Sequence, residues 1–168
     1  MPISETPNFQ PIEITPNFSV TTQVFPKHLP QIRKMGFVRV LNVRPDNEED
    51  REDQLPSFLL EPLVIKTGLQ YSHIPVISGA DFPEMAIRAM AHLCSHEQQK
   101  TLAFCLSGIR SLRLWALGSA LSGQELPEQI QLYAENAGFK LSQFSHHLQR
   151  LSKSQAPIYV TDDLANMI

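Results

Sequence analysis

A chain of 168 residues, 42% of them hydrophobic, has the size of one domain and enough apolar material for a core. With 17 acidic against 14 basic residues and a pI near 6.0, it has no cationic excess with which to hold a nucleic-acid backbone. No apolar run approaches the roughly 20 residues that span a bilayer, and MPISETPNFQ lacks the basic start and apolar stretch of a leader, so a cytoplasmic setting without membrane or nucleic-acid partners is expected.

Proline divides the chain, since 11 of the 13 fall between Pro2 and Pro83; short pieces are expected there and longer helices afterwards. FSVTTQV (18–24) alternates and is rich in β-branched residues, predicting a strand, and HLPQIRKM before Gly36 predicts a short helix or turn. FVRVLNV (37–43) is nearly continuous in apolar residues, as a strand covered on both faces would be. RPDNEEDRED reads as a charged, solvated loop. QLPSFLLEPLVIKTG predicts a helix stopped by Gly68 and kinked by Pro62, and QYSHIPV (70–76) a third strand.

FPEMAIRAMAHLCSHEQQ places Met85, Ala86, Ala89, Met90 and Leu93 on one side of an amphipathic helix. TLAF (101–104) predicts the fourth strand and SLRLWALGSALSG an apolar helix ended by Gly123, in which Leu112, Trp115, Leu117 and Leu121 should be core. PEQIQLYAENAG and LSQFSHHLQRL predict two more helices, while Lys153 to Ile168 fits no clear element. Strands alternating with helices predict an α/β domain of three layers, a mainly parallel central sheet between helices, with a core over about 14–151 of a single 1–168 domain.

On that map FCLSGIRS puts Cys105 just past a strand and just before a helix, on the rim where open parallel sheets bind ligands. A helix amino terminus carries unpaired amides and a partial positive charge, which favour an anion and the thiolate form of a nearby cysteine. Gly108 lets the backbone turn so that the amides of Leu106, Ser107, Gly108 and Ile109 face inward. Arg110 offers a planar fork to two oxygens of a tetrahedral anion, and Ser111 can cap the helix or donate to the sulfur. The loop is thus a cradle for an oxyanion or a sulfur species attacked by Cys105.

FCLSGIRSLRLWAL, with VLNVRPDNEE upstream and AENAGFKLSQFSHHL downstream, resembles the bacterial phosphatase-like domain found beside or fused to beta-lactamase-like metallohydrolases, over about Ile14 to Leu151. The resemblance implies the fold of cysteine-dependent tyrosine and dual-specificity phosphatases. It also implies Cys105 as nucleophile, Arg110 and the loop amides as phosphate binders, Ser111 assisting departure of the thiolate, and no metal or other cofactor. Two features depart from that fold's usual pattern: Phe104 stands where histidine is usual, and four residues rather than five separate Cys105 from Arg110. The shorter loop is similar to that of rhodanese sulfurtransferases, so sulfur transfer through a Cys105 persulfide is the alternative enzyme. An inactive module binding a phosphorylated or anionic partner is the alternative outside catalysis.

A phosphatase also needs an acid to protonate the leaving oxygen. Asp81, in ISGADF after the third strand, lies on the same rim and is the first candidate; it is equally suited to cap the helix that follows. Arg44 and Asp46, just past the second strand, are expected to contact substrate, to supply the alternative acid, or to form an arginine–carboxylate pair that holds the cysteine loop. The acids Glu48, Glu49, Asp50, Glu52 and Asp53 are expected to be solvated. His92 and His96 share a helix face without a third ligand, adjacent His146 and His147 point apart, and His73 is read as a half-buried strand residue. Cys94, in the amphipathic helix, is expected to pack rather than react. The substrate expected is a phosphorylated small molecule or phosphoprotein.

Overall fold

The structure, a computed structural model, describes residues 9–48, 54–96, 99–154 and 161–168. Five strands form one sheet: β1 (Ile12–Thr15), β2 (Phe18–Thr21), β3 (Arg39–Asn42), β4 (Gln70–His73) and β5 (Thr101–Phe104), in the order β1-β2-β5-β3-β4. Every pairing is parallel except β1 with β2. The α/β architecture and mainly parallel sheet expected from the sequence are therefore present. Unforeseen is β1, whose four residues between Pro11 and Pro16 turn back on β2 as a short hairpin.

Helices cover both faces. On one side α1 (Leu29–Lys34) and α2 (Ser57–Lys66) lay Leu29, Ile32, Leu60 and Val64 against Val40, Leu102 and Phe104 of the sheet. Helix α2 keeps Pro62 in its interior and runs on to Lys66. The other side carries α3 (Glu84–His96), α4 (Ile109–Ser122), α5 (Pro127–Asn136) and α6 (Ser145–Ser154), with Trp115, Leu112 and Leu117 in the larger core as expected and Leu121, near the end of α4, only half-buried. Helices α3 and α4 meet at Gly118, where a Cβ would fall 2.6 Å from Met90 Cγ and 2.9 Å from the Ala91 nitrogen; only glycine permits that approach.

The stretch to which the sequence assigned no element carries α7 (Asp162–Ala165), capped by the Thr161 side chain, which accepts from the Leu164 amide. Leu164 is fully buried, and the Met167 carbonyl accepts from the His73 amide at 3.1 Å, so this segment seals the open edge of β4. Among the described residues, no helix is long and apolar enough to cross a membrane.

Candidate active site

The central strand β5 delivers Cys105 to the carboxyl edge of the sheet, where the chain turns into α4. Thr101 to Phe104 is buried on both faces, because β2 and β3 flank it and helices cover it. The turn depends on Gly108, at φ +90° and ψ −23°, a left-handed conformation that side chains resist. In that conformation the Gly108 amide donates to Cys105 Sγ at 3.0 Å, and the Gly108 carbonyl starts α4 by accepting from Leu112 at 3.0 Å. The sulfur therefore sits on a backbone donor at the amino end of a 14-residue helix, where negative charge is favoured. Cys105 is only 1% exposed, whereas Leu106, Ser107 and Ile109 of the same loop are exposed.

Arg110, nine-tenths buried, is held by one terminal nitrogen. Its Nη1 donates to the Val76 carbonyl at 2.7 Å and pairs with Glu48 Oε1 at 2.6 Å. A guanidinium has five N–H donors; fixing Nη1 leaves Nε and Nη2 as a planar edge of the kind that grips two oxygens of an anion. Ser111 is 1% exposed, and its hydroxyl makes no hydrogen bond among the described residues.

Glu48 is the residue that sequence reasoning misplaced. Far from being solvated, its side chain is 13% exposed, with Oε2 accepting from Arg44 Nε at 2.7 Å while Oε1 meets Arg110. Burial acts to raise its pKa, but the hydrogen bonds and charges of Arg110 and Arg44 outweigh that and hold the carboxyl below the ordinary carboxylate value. The remaining acids of that run, Glu49 to Asp53 by number, lie outside the described residues. Arg44, 3% exposed, also donates from Nη1 to Gln23 Oε1 at 2.7 Å. Asp46 faces elsewhere: its Oδ1 accepts from the Ser57 amide at 2.8 Å and so caps α2, whose own N-cap, Pro56, has no side-chain acceptor. The arginine–carboxylate pair behind the cysteine loop thus exists, with Glu48 as its carboxylate.

Asp81 is exposed on the loop after β4, in the wall of a cavity of about 360 Å³ that opens over the cysteine loop. Leu106, Ile109 and Arg110 line the same cavity from below, and Ile77, Phe82 and Phe144 from the sides. Site residues from three separate chain regions, 44–48, 76–82 and 105–111, meet at one edge of the sheet. His73, half-buried at the end of β4, braces this edge through Nε2 and the Arg44 carbonyl at 2.8 Å. Cys94 stands apart, its sulfur 3.5 Å from Ser119 Oγ, and burial pushes its thiol up to about 11.

A parallel sheet that presents a cysteine, a left-handed glycine and a buried arginine between a strand and a helix defines the fold class of the cysteine-dependent phosphatases. A kinase associated phosphatase, solved with its catalytic-site cysteine substituted by serine, superposes with a TM-score of 0.61 at 18% identity, over 83% of this chain and 89% of that one. A Neisseria meningitidis Z2491 protein gives 0.65 at 22% identity, over 83% and 96%. Within that class the family is specific. Residues 12–122 match the phosphatase-like domain of beta-lactamase hydrolase-like proteins, and this chain belongs to that family. The beta-lactamase hydrolase-like protein of Agrobacterium fabrum is 30% identical over 142 residues, 84% of this chain; the chain spans 32% of that relative's length.

Proposed function

We propose that the chain hydrolyses phosphomonoesters through Cys105. One observation carries the reading: the Gly108 amide meets the Cys105 sulfur at 3.0 Å at the amino end of α4, while Arg110 is fixed by Val76 and Glu48 with its free edge left for oxyanion binding. The phosphoryl group would sit on the loop amides and on Arg110 Nε and Nη2. The Cys105 sulfur would attack phosphorus, forming an S–P bond as the bond to the leaving oxygen breaks, and Asp81 would supply that oxygen's proton. Asp46 is held by Ser57, which leaves Asp81 as the better placed of the two acids. Water would then cleave the phosphocysteine, releasing phosphate and thiolate, with the unpaired Ser111 hydroxyl the donor available to the departing sulfur. The substrate would be a phosphorylated small molecule or phosphoprotein, and a reducing, cytoplasmic setting would keep the thiol usable.

The short loop and the 1% exposure of Cys105 also suit a smaller occupant, a persulfide, which supports sulfur transfer as a second reading. There the thiolate would take the outer sulfur of thiosulfate as a persulfide and release sulfite. Hydrolysis of an activated aryl phosphate across pH, for wild type, Cys105→Ser and Arg110→Lys, separates these readings. Turnover lost in both variants upholds the phosphatase. An inert wild type that releases sulfite from thiosulfate replaces it with the transferase, and phosphate binding with neither activity reduces the chain to an anion-binding module.

A further inference from the structure

Arg113 lies three residues beyond Arg110 on α4, on the same helical face, and lines the cavity over the cysteine loop. Its guanidinium carbon stands 5.3 Å from the centroid of the Phe144 ring. Its Nε is buried without a hydrogen bond, and among the described residues it has no carboxylate partner. An arginine that is partly withdrawn from water, with an N–H left unmet, is costly unless something else meets it.

The cavity continues. A second space of about 260 Å³ shares Asp81, Phe82 and Phe144 with the first, and its far side carries His147 and Arg150. Phe82 and Phe144 meet edge to face, centroids 6.2 Å apart, and form an apolar waist between the two spaces. One groove therefore runs from the Cys105 loop, over an aromatic waist, to a cationic far end. Its fixed charges besides Arg110 are Arg113 and Arg150 against the single carboxylate Asp81.

We propose that Arg113 and Arg150 bind a second anionic group of the substrate across the Phe82–Phe144 waist from the transferred phosphate. The preferred substrate class is then a phosphomonoester whose flat, apolar leaving group carries an oxyanion at its far end. This rests on the reading of the Cys105 loop as a phosphate site. A substrate of many phosphates would exceed the few cations of the groove, and an uncharged aryl group would leave Arg113 unmet.

The test compares two probes of one shape, methylumbelliferyl phosphate and the matching phosphate of umbelliferone acetic acid, in which a carboxymethyl replaces the methyl. Their affinities are measured calorimetrically on Cys105→Ser, which separates binding from turnover. The carboxylate probe should bind about tenfold tighter, the worth of one charge-assisted pair. That preference should fall to about threefold or less in Cys105→Ser/Arg113→Gln, survive in part with Arg113→Lys, and shrink in salt. Arg150→Gln, an exposed change, should lower the same ratio and keeps the test decisive if Arg113→Gln unfolds. Equal affinities on Cys105→Ser, or a preference unmoved by both glutamine variants, overturn the subsite. If wild type hydrolyses the methyl probe while the affinities are equal, the phosphatase stands and the subsite alone falls; if neither probe binds or turns over, both fall.

Discussion

Glu48→Gln is the perturbation that asks most of this structure. The carboxylate makes two short contacts, 2.6 Å to Arg110 Nη1 and 2.7 Å to Arg44 Nε, and the three side chains are 13%, 10% and 3% exposed. Hydrogen bonds to charged groups contribute roughly 1.5–3 kcal/mol each, and breaking a buried pair leaves the other charge uncompensated. Glutamine keeps one oxygen for one arginine and turns an amide NH₂ toward the other, so a loss of about 2–3 kcal/mol is expected. That is a large share of the roughly 5–15 kcal/mol a domain commonly has. Urea unfolding followed by fluorescence of Trp115, the single tryptophan and 4% exposed, measures it directly. The pH dependence adds a second condition. The Glu48 carboxyl is held below its ordinary value in the folded state, so its contribution is complete above the unfolded carboxylate range near ~4.3 and is lost as pH falls through the lower folded value. Glutamine takes up no such proton, so the gap between wild type and variant should close in acid. Aryl phosphatase turnover should fall about tenfold or more at neutral pH, because Arg110 loses one of its two anchors. A gap below about 0.5 kcal/mol at neutral pH, or one that does not change with pH, would refute the reasoning.

Three further outcomes are expected. Gly108→Ala places a side chain at φ +90° and should cost about 1–3 kcal/mol in urea unfolding, with a larger loss in phosphate affinity as the amide swings off Cys105 Sγ; unchanged affinity would mean the amide is not part of the cradle. Gly118→Ala should lose about 1–3 kcal/mol despite alanine's better helix propensity, because Met90 and the Ala91 nitrogen occupy the space, and a thermal midpoint at or above wild type would contradict that packing. Cys94, with its thiol pushed up to about 11, stays protonated at neutral pH and should resist iodoacetamide in the native protein while reacting in urea; native alkylation of Cys94 at pH 7, located by peptide mass mapping, would contradict a thiol held protonated.

Much of this architecture can be read from residue order, because glycine and proline mark the ends of elements and TLAF follows one threonine with three apolar residues, as a strand buried on both faces would. The cysteine loop was legible for the same reason: Cys105, Gly108 and Arg110 are contiguous, and a strand-to-helix turn leaves them one place to go. Glu48 was not, since in a run of acids nothing local separates the one carboxylate that two distant arginines bury from its neighbours. The arginine pairing expected of Asp46 failed for a related reason, the amide it caps lying 11 residues on, across the acidic loop. Short elements escape periodicity: β1 offers two apolar residues between prolines, and α7 depends on Leu164 finding the core, although Thr161 followed by two aspartates carries a helix-start signal.

The place of β5 in the sheet has a consequence for how the site can move. β1 and β2 pair with each other and β3 with β4, but β5 alone joins those two halves. A local opening that freed Thr101 to Phe104 would divide the sheet, so amide exchange along β5 should occur only by global unfolding while the β1 edge exchanges through fraying. Cys105 inherits that behaviour from the strand that carries it. In mild denaturant, loss of the cradle that holds its sulfur, read as lost phosphate binding, should track whole-molecule unfolding, which makes the cysteine loop and the cooperative unit of the fold one thermodynamic object.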